Sequence, residues 1–310
     1  MQTRKLGTTD LDVSVIGLGT NNFGGRIDLE GSRRVIDAAI DHGINFFDTA
    51  DIYADTNSES ILGEVLGARR DKIVLATKFG KPIQGSPEGK RASRPYILKA
   101  VEDSLRRLKT DRIDLYQQHE PDPETPIEET LATLEELVTA GKIRHYGASN
   151  FSPKQLREAQ EAARKAGYRG FVSSQDEYSL VERTIETEML PVVRDEQLAL
   201  IPFFPLASGL LTGKYRNGEP PAGSRFSAWK ALGERYLTQR NLVLVEKFDA
   251  FAVASGHTVL ELAFAWLLAQ ESVPSVIAGA TTPEQIAANA KASEWNLSAA
   301  DLASFHALVG

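Results

Sequence analysis

Four side chains that can hold or exchange a proton come at or just after the ends of apolar runs: Asp48, Tyr53, Lys78 and His119. Asp48 directly follows the apolar residues of INFFDTADIY, and a carboxylate in such a position is costly unless another group compensates its charge. Tyr53 lies only five residues further on. These residue types predict a proton-transfer unit rather than a nucleophile or a metal site.

The chemistry of such a unit follows from the usual properties of the side chains. A free tyrosine has a pKa of about 10, which is too high for easy proton exchange at neutral pH. A neighbouring ammonium group, here from Lys78, favours the phenolate of Tyr53 and lowers that pKa. A buried Lys78 needs a counter-charge, which Asp48 could supply. A neutral His119 could hydrogen-bond and orient a substrate oxygen.

Each of these residues also has a structural interpretation. Asp48 could be a cap, Tyr53 a half-buried aromatic residue, Lys78 a surface lysine and His119 a core histidine. Structural polar residues outnumber catalytic ones, so a single residue of this kind would favour the structural role. Four of them at one edge favour the catalytic one. Asp51 is interpreted as a solvated turn residue.

The elements that must position these residues form a regular alternation. Short apolar or β-branched runs alternate with longer segments of helical period. The predicted strands are 13–19, 44–48, 72–78, 113–119, 143–149, 171–175, 198–203 and 274–279. The predicted helices are 30–42, 93–108, 126–140, 152–166, 258–270 and 283–292. Before them, residues 3–6 and 11–15 predict a β-hairpin around the turn signal LGTTD.

Strict alternation of eight strands with helices predicts a parallel sheet. At 310 residues, with no break in composition, we expect a single domain over residues 1–310 that forms an α/β fold, the (β/α)8 TIM barrel. A doubly wound open sheet is the alternative. In a barrel the functional residues lie at the C-terminal ends of the strands, where the predicted proton-transfer residues fall. GLGTNN (17–22) lacks the third glycine of a dinucleotide-binding loop and is not followed at once by a helix.

Composition limits the other functions. The net charge of −7 and the pI of about 5.4 argue against nucleic acid or an anionic membrane as the main partner. The chain has no cysteine, so disulfides and thiolate chemistry are excluded, and its five histidines show no metal-ligand spacing. The first residues lack the apolar core of a signal peptide, and no apolar run approaches about 18 residues. We therefore expect a cytoplasmic protein without a metal.

Two long segments carry no predicted element, 80–94 and 214–240. Loops of that length usually serve a site. The candidates for a substrate pocket are Asn21, Phe23, Phe226 and Trp229. Their aromatic rings suggest an apolar or ring-shaped small molecule.

Seven segments together resemble the aldo-keto reductase family. They are GINFFDTADIY, ATKFG, YQQH, RHYGASNF, the segment around Gln175, FFPLASGLLTGKY and IAGATTPEQIAAN. The resemblance runs from the N-terminal hairpin nearly to the C-terminus. The resemblance implies a barrel whose N-terminal end, its bottom, is closed by the hairpin. It also implies that Asp48, Tyr53, Lys78 and His119 form the catalytic tetrad, with Tyr53 as the general acid or base.

The resemblance further implies a nicotinamide cofactor. Ser149, Asn150 and Gln175 match residues that bind its carboxamide, and Phe203 matches a ring that stacks on the nicotinamide and is usually a tyrosine. The remaining matched contacts are Gly19, Thr20, Leu206, Ser208, Leu211, Lys214, Gly279, Thr281, Gln285 and Asn289. Family members often place Lys or Arg near 279–281 and Arg at 285, where this chain has none. NADP(H) is therefore expected from the family, with NAD(H) possible.

The expected reaction is reversible reduction of an aldehyde or ketone to an alcohol by hydride transfer. The alternative within the family is a cofactor-binding regulatory subunit of the potassium-channel beta-subunit type with little turnover. A barrel glycosidase would need two carboxylates, and the pair Asp48 and Asp51 leaves Lys78 and Tyr53 without a role. The substrate, the reaction direction and the oligomeric state stay open.

Overall fold

The computed structural model describes residues 1–83, 89–215, 220 and 224–309 of the chain. It begins with an antiparallel hairpin of β1 (Thr3–Lys5) and β2 (Asp12–Ser14), in which Thr3 pairs with Ser14. Gly7 has φ +57° in the connecting turn, a backbone conformation that glycine adopts without cost. The predicted hairpin is therefore confirmed, with its two strands slightly shorter than expected.

Eight further strands form one parallel sheet that curves into a barrel. The first seven strands pair with one another in chain order, and the eighth strand pairs with the first. The strands are β3 (Ile16–Gly19), β4 (Phe46–Asp48), β5 (Val74–Phe79), β6 (Ile113–Gln118), β7 (Ile143–Ser149), β8 (Ser173–Glu177), β9 (Ala199–Phe203) and β10 (Val276–Gly279). All eight predicted strands are found, and the sequential parallel order confirms the (β/α)8 barrel over the open sheet.

Helices cover the outside of the barrel. In chain order they are α1 (Leu29–Asp41), α2 (Asn57–Leu66), α3 (Arg94–Leu108), α4 (Ile127–Thr139), α5 (Pro153–Ala166), α6 (Ile185–Asp195), α7 (Arg225–Ala228), α8 (Lys230–Tyr236), α9 (Gln239–Ala254), α10 (Val259–Leu268), α11 (Pro283–Ala292) and α12 (Ala299–Val309). The six predicted helices correspond to α1, α3, α4, α5, α10 and α11.

Six of these helices were not predicted, namely α2, α6, α7, α8, α9 and α12. Pro191 lies inside α6, and α2 contains Gly63 and ends at Gly67, so local signals weigh against a helix in both places. Part of the segment 214–240, predicted as a loop, is helical in α7 and α8. Other parts of that prediction and of the loop 80–94, namely residues 84–88, 216–219 and 221–223, lie outside the described residues.

Local signals fix the ends of the predicted helices. The side chain of Ser152 accepts a hydrogen bond from the backbone N–H of Gln155, and Gln155 accepts one from the Ser152 backbone in return, which forms a capping box at the start of α5. The helix ends at Gly167, which has φ +72°. The two ends of α5, the helix that follows β7, are thus determined by local sequence signals.

The apolar core has two parts. The larger part lies between the strands and the helices, and the smaller part fills the lower interior of the barrel. Leu6, Leu11 and Val13 of the hairpin belong to this smaller part together with barrel residues such as Phe46 and Leu115. The hairpin therefore closes the N-terminal end of the barrel.

Charged contacts hold the hairpin turn to the barrel. Asp10 accepts hydrogen bonds from Arg144 Nη2 and His145 Nε2, both at 2.7 Å. These bonds, with that from His145 the stronger, lower the pKa of Asp10 to about 2. Arg144 also donates to Asp114, a buried carboxylate paired with Arg70 at 2.8 Å. The closed end of the barrel is thus held by ion pairs as well as by apolar packing.

Among the described residues, no single helix is long and apolar enough to cross a membrane; α9 and α10 meet the criteria only when taken together, across a 90° bend.

Candidate active site

Neighbouring strands bring three of the predicted residues to the C-terminal end of the barrel. Asp48 is the last residue of β4, Lys78 lies one residue before the end of β5, and His119 follows β6 directly. In a parallel barrel these strand ends meet at one rim. Tyr53 is in the loop between β4 and α2, above the same strands. The structure thus brings all four together.

The contact at the centre is an ion pair buried in the barrel. Lys78 Nζ lies 2.6 Å from Asp48 Oδ2, and Lys78 has no exposed surface. The same ammonium donates to the Thr49 carbonyl at 2.9 Å and reaches Tyr53 Oη at 3.4 Å. A buried pair of this kind is costly to break because removing one partner leaves an uncompensated charge. Lys78 therefore holds the carboxylate and the phenol around one positive charge.

The second oxygen of Asp48 is bonded by two side-chain amides. Gln117 Nε2 donates to Asp48 Oδ1 at 3.1 Å and Gln175 Nε2 donates to it at 3.0 Å. Both glutamines are buried. No role was predicted for Gln117. This residue alternates in β6 with residues that face outward, and that alternation is the signal that could have identified it. With these bonds the carboxylate is fixed on both oxygens.

Burial and charge act in opposite directions on the two groups that exchange a proton. Burial alone would lower the pKa of Lys78, but the negative charge of Asp48 and the Tyr53 oxygen outweigh it and raise that pKa. Burial raises the pKa of Tyr53 above its usual value, and Lys78 opposes only part of that rise. The sequence predicted that the effect of the lysine would prevail, but desolvation of the phenol outweighs it. The free site therefore holds a charged lysine and a protonated tyrosine.

His119 is kept neutral by its surroundings. Burial, together with the positive charges of Lys78 and Lys81, lowers the pKa of His119 to about 2. Its ring lies 6.0 Å from the ring of Tyr53 at an interplanar angle of 79°. Nδ1 has no hydrogen-bond partner among the described residues. A neutral imidazole beside the phenol can hydrogen-bond an oxygen without adding charge.

The backbone after Tyr53 is in an unusual conformation. Ala54, Asp55 and Thr56 have φ of 50°, 50° and 73°, a left-handed region that costs about 1 kcal/mol or more for each residue with a Cβ. Asn150, Phe204 and other residues of the rim loops share this conformation. Strain of this kind persists where the surrounding structure fixes the loop, and it clusters at functional sites.

The structure corrects the interpretation of Asp51. The sequence analysis placed this residue in a solvated turn, but its side chain is only 1% exposed. The loop folds back under the rim, and the Asp51 backbone N–H donates to the Lys78 carbonyl at 3.2 Å. The prediction failed because tertiary packing, which no local signal reveals, covers the turn.

The residues predicted to bind the carboxamide lie beside the proton-transfer residues. Gln175 uses its amide nitrogen toward Asp48, and no described residue donates a hydrogen bond to its Oε1. Asn150 Nδ2 donates to the His119 carbonyl and to Ser149 Oγ, and Asn150 Oδ1 likewise has no partner among the described residues. Two open amide acceptors therefore stand at the rim, and they suit a ligand that presents an amide NH2. On this observation the residues present fit a nicotinamide.

The segment after β9 borders the same opening. Phe203, the last residue of β9, is partly exposed and meets Phe204 edge to face at 5.3 Å. The predicted contacts Leu206 and Lys214 keep exposed surface, and Ser208 Oγ is buried without a hydrogen-bond partner among the described residues. Leu211 is fully buried, so the structure does not bring its side chain to the opening.

The predicted contacts on β3, β10 and α11 lie on the neighbouring side. Thr20 is fully buried and donates to the Asp48 carbonyl at 3.1 Å, so its hydroxyl faces away from the opening. A Cβ on Gly19 would lie 2.9 Å from Ile277, and one on Gly279 would lie 3.1 Å from Asn22. The other three predicted contacts are Thr281, two residues before α11, and Gln285 and Asn289 within it. Gln285 Oε1 accepts from the Thr281 N–H at 2.8 Å, and Asn289 is buried.

The predicted substrate residues divide into two groups. Trp229 is 51% exposed and Asn21 is partly exposed, so both can contact a ligand. Phe23 and Phe226 are buried in the core, so the structure does not bring these rings to a pocket surface. They were misjudged because an aromatic residue in a loop gives no local signal of whether it turns inward.

Some cations near the opening have no acidic partner in the part of the chain that the structure describes. Arg26, Lys214 and Arg225 are among them. The Arg225 guanidinium lies over the rings of Phe204 and Trp229, at 5.8 and 5.2 Å from their centroids, and burial lowers its pKa. No cation to hold a phosphate was predicted because residues 279–285 contain none, and Arg225 is remote from them in sequence.

The barrel and its rim define a class of protein, a (β/α)8 barrel with a proton-transfer site at the open end. A family model described as the aldo/keto reductase family matches residues 15–309. The chain is 40% identical over 308 residues to the uncharacterized oxidoreductase YrpG of Bacillus subtilis (strain 168), with 96% of this chain and 92% of that protein covered.

Two other relatives carry more specific names. Identity is 38% over 301 residues to a probable voltage-gated potassium channel subunit beta of Arabidopsis thaliana, with 94% and 91% covered. It is 32% over 303 residues to the L-glyceraldehyde 3-phosphate reductase of Escherichia coli (strain K12), with 94% and 87% covered. The chain belongs to the aldo/keto reductase family, as its sequence motifs predicted. This family consists of oxidoreductases that use a nicotinamide cofactor and act on small molecules.

Proposed function

We propose that this protein catalyses the reversible reduction of an aldehyde or ketone to an alcohol with NADPH. The observation that carries the proposal is the position of Lys78 Nζ, which lies 2.6 Å from Asp48 and 3.4 Å from the Tyr53 hydroxyl. A phenol beside a charge-compensated ammonium is suited to give a proton to a developing alkoxide and to take it back.

The division of labour at the site follows from this geometry. The bound nicotinamide supplies the hydride. Tyr53 holds a proton at neutral pH, since burial raises its pKa, and this is the state that reduction of a carbonyl requires. In the opposite direction the phenolate is the base, and Lys78 stabilises it. Asp48 keeps Lys78 charged and in place.

His119 contributes orientation rather than charge. Since its pKa is lowered to about 2, the imidazole stays neutral over the whole working range of pH. It can therefore hydrogen-bond the carbonyl oxygen next to Tyr53 without competing as an acid. Together the phenol and the imidazole fix one oxygen atom of the substrate.

The cofactor would be held by the open amide acceptors of Gln175 and Asn150 at its carboxamide, with Phe203 offering a ring for stacking. For the preference between NADPH and NADH we propose NADP(H). The support is Arg225, a guanidinium at the opening with no acidic partner among the described residues, which can replace the cation missing at residues 279–285. The substrate would be a small carbonyl compound that contacts Trp229 and Asn21.

The proposal is tested by replacing Tyr53 with Phe. We expect single-turnover reduction of 4-nitrobenzaldehyde by NADPH to fall by about 10²- to 10⁴-fold, the usual contribution of a positioned acid. Cofactor binding, measured by fluorescence titration, should stay within about threefold, because the hydroxyl is not part of the carboxamide site. Tyr168→Phe is the matched control, since Tyr168 has no side-chain hydrogen bond among the described residues. Near-normal reduction by the Tyr53 variant would refute the assignment.

A second candidate function is that of a cofactor-binding partner subunit with little turnover. Its support is the 38% identity to the Arabidopsis protein named a potassium channel subunit beta. The complete set of proton-transfer residues favours the enzyme. Turnover by the wild-type protein on a panel of aldehydes distinguishes the two functions. No measurable turnover despite tight NADPH binding would favour the partner subunit.

A further inference from the structure

A buried carboxyl group in the loop that carries Tyr53 takes no part in the mechanism above. Asp51 is 1% exposed, and neither of its carboxyl oxygens has a hydrogen-bond partner among the described residues. A buried ionised carboxylate without a partner costs several kcal/mol, so such a group is normally neutral or paired. Asp51 has no such partner among the described residues, so its protonation state has to be explained.

The charges around Asp51 are already balanced. Lys78 is paired with Asp48 at 2.6 Å on the barrel side. On the helix side, Arg107 of α3 is paired with Glu59 of α2 at 2.6 Å, and Thr77 Oγ1 donates to Glu59 at 2.5 Å. Two cations and two carboxylates thus cancel in pairs, and no cation is left for Asp51.

The groups that act on Asp51 come from every element packed against it. Glu59 of α2 faces it with a negative charge, and the positive charges of Arg107 and Lys78 are each shared with a carboxylate. Burial raises the pKa of Asp51 well above its usual range, and Glu59 adds to the rise while Arg107 opposes it. The phenols on which its charge acts are Tyr116 of β6 and Tyr53 of its own loop.

The backbone connects Asp51 to Tyr53 directly. The Asp51 N–H donates to the Lys78 carbonyl at 3.2 Å, and the Tyr53 N–H donates to the Ala50 carbonyl at 3.1 Å. The next three residues are in the left-handed region, so the loop has little freedom to move. A negative charge on Asp51 would therefore act on the phenol from a fixed position.

We propose that Asp51 is a positioning residue that works as an uncharged carboxylic acid, and that its ionisation at alkaline pH disfavours the phenolate of Tyr53. The uncharged acid fills the space between the two ion pairs and lets the loop lie under the rim. The ionised form adds a negative charge beside Lys78 and the phenol. The catalytic part of this inference rests on the proposed function, but the protonation state of Asp51 does not.

The protonation state is tested by stability. A carboxyl whose pKa is raised in the folded protein contributes fully below its unfolded pKa, and that contribution is lost as pH rises through the folded pKa. Asp51→Asn lacks this loss, so its Tm relative to wild type should rise by about 2–4 °C or more from pH 5 to pH 9. Asp48→Asn is the matched control and should lie below wild type at neutral pH, because it leaves Lys78 unpaired.

A Tm of Asp51→Asn that falls relative to wild type as pH rises would overturn the inference, since it would mean that the ionised carboxylate is stabilising.

A second measurement of the protonation state of Asp51 does not depend on that variant. In protein labelled with ¹³C at the aspartate carboxyl groups, two resonances should titrate late, those of Asp51 and of Asp176, whose pKa burial raises to about 6. Asp176→Asn should remove one and leave one. If none remains, Asp51 is ionised and the inference fails.

The link to Tyr53 is tested by a pH profile of alcohol oxidation, which requires the phenolate. We expect the ratio of kcat/KM for Asp51→Asn to that for wild type to be near one at pH 6 and to exceed about threefold at pH 9–10. A ratio that does not change with pH, or one already above threefold at pH 6, would overturn the inference. Loss of activity in Tyr53→Phe is a separate result: if it failed to appear, the proposed function would fall while the titration of Asp51 would stand.

Discussion

Single residues at the rim differ in whether they carry charge. Asp48 and Lys78 are buried as an ion pair, whereas His119 and, on our proposal, Asp51 are buried as neutral groups. The sequence allows the pair to be predicted because both residues end adjacent strands. It does not reveal which further groups are desolvated, and desolvation decides whether a group can hold a charge. Residue types are thus readable from sequence, and protonation states are not.

The cofactor preference is a prediction at this scale. Replacing Arg225 with Gln should raise the Kd for NADPH about tenfold or more and that for NADH less than threefold, because a charged hydrogen bond to a phosphate contributes about 1.5–3 kcal/mol. The measurement is a paired fluorescence titration with both cofactors. A cation in contact with the 2′-phosphate would give this difference, and one in contact with the pyrophosphate would not.

The control for this prediction removes the same charge elsewhere. Arg194 lies at the opposite, closed end of the barrel. Arg194→Gln should leave both Kd values within about twofold. Equal losses for NADPH and NADH in the Arg225 variant would contradict a role in selecting NADPH, even if binding of both became weaker.

At the scale of elements, the strands were predictable and the helix that supports the site was not. The strands are short, apolar and bounded by turn residues, so their pattern is local. In contrast α2 begins after a strained loop and contains Gly63, yet its residues Ser58 and Glu59 form buried hydrogen bonds beneath the site. Its stability comes from packing on α3 and on the barrel, and sequence propensity does not report such packing.

The packing of α2 on α3 predicts the effect of one methyl group. A Cβ on Gly63 would lie 2.2 Å from the Arg107 carbonyl oxygen and 2.6 Å from the Leu108 carbonyl carbon. Gly63→Ala should therefore force the helices apart and lower the free energy of unfolding by about 1–3 kcal/mol, measured by urea denaturation. It should also weaken the bond from Arg107 to Glu59.

A glycine with room around it serves as the reference. A Cβ on Gly25 would meet only the Cβ of Ala54, at 3.8 Å, which is an ordinary contact. Gly25→Ala should change the free energy of unfolding by less than about 0.5 kcal/mol. If the two variants were equally stable, the close approach of α2 to α3 would not be a constraint on the fold.

At the scale of the whole molecule, the barrel has a closed end and an open end. The resemblance of the motifs to a family implied this arrangement, and the hairpin pattern was local enough to predict. The ion pairs that hold the hairpin were not predictable, because Asp10 and His145 are 135 residues apart and neither carries a signal for the other. Ion pairs between residues far apart in the sequence can be predicted only once the fold is known.

This pairing predicts a dependence on pH. The lowered pKa of Asp10 means that its contribution to stability is present above the unfolded pKa and is lost as pH falls toward about 2. Since its side chain is 68% exposed, the contribution is small. Asp10→Asn should lower the Tm by about 1–3 °C at pH 7, and the deficit should begin to shrink below about pH 4.

The comparison for this prediction is Asp12, which pairs with Lys5 inside the hairpin and not with the barrel. Asp12→Asn should have a smaller effect on the Tm at pH 7, as expected for a pair between two exposed side chains of one hairpin. An equal effect of the two variants would contradict the role of Asp10 in fastening the hairpin to the barrel.

The closed end also offers a way to orient the molecule on a surface. The chain has no cysteine, and Thr8 is exposed in the hairpin turn on the side opposite the rim. A single thiol introduced as Thr8→Cys would be the sole attachment point for a maleimide-coated electrode or bead. Every immobilised molecule would then face the solution with its open end, and neither the cofactor nor the carbonyl compound would have to pass the support.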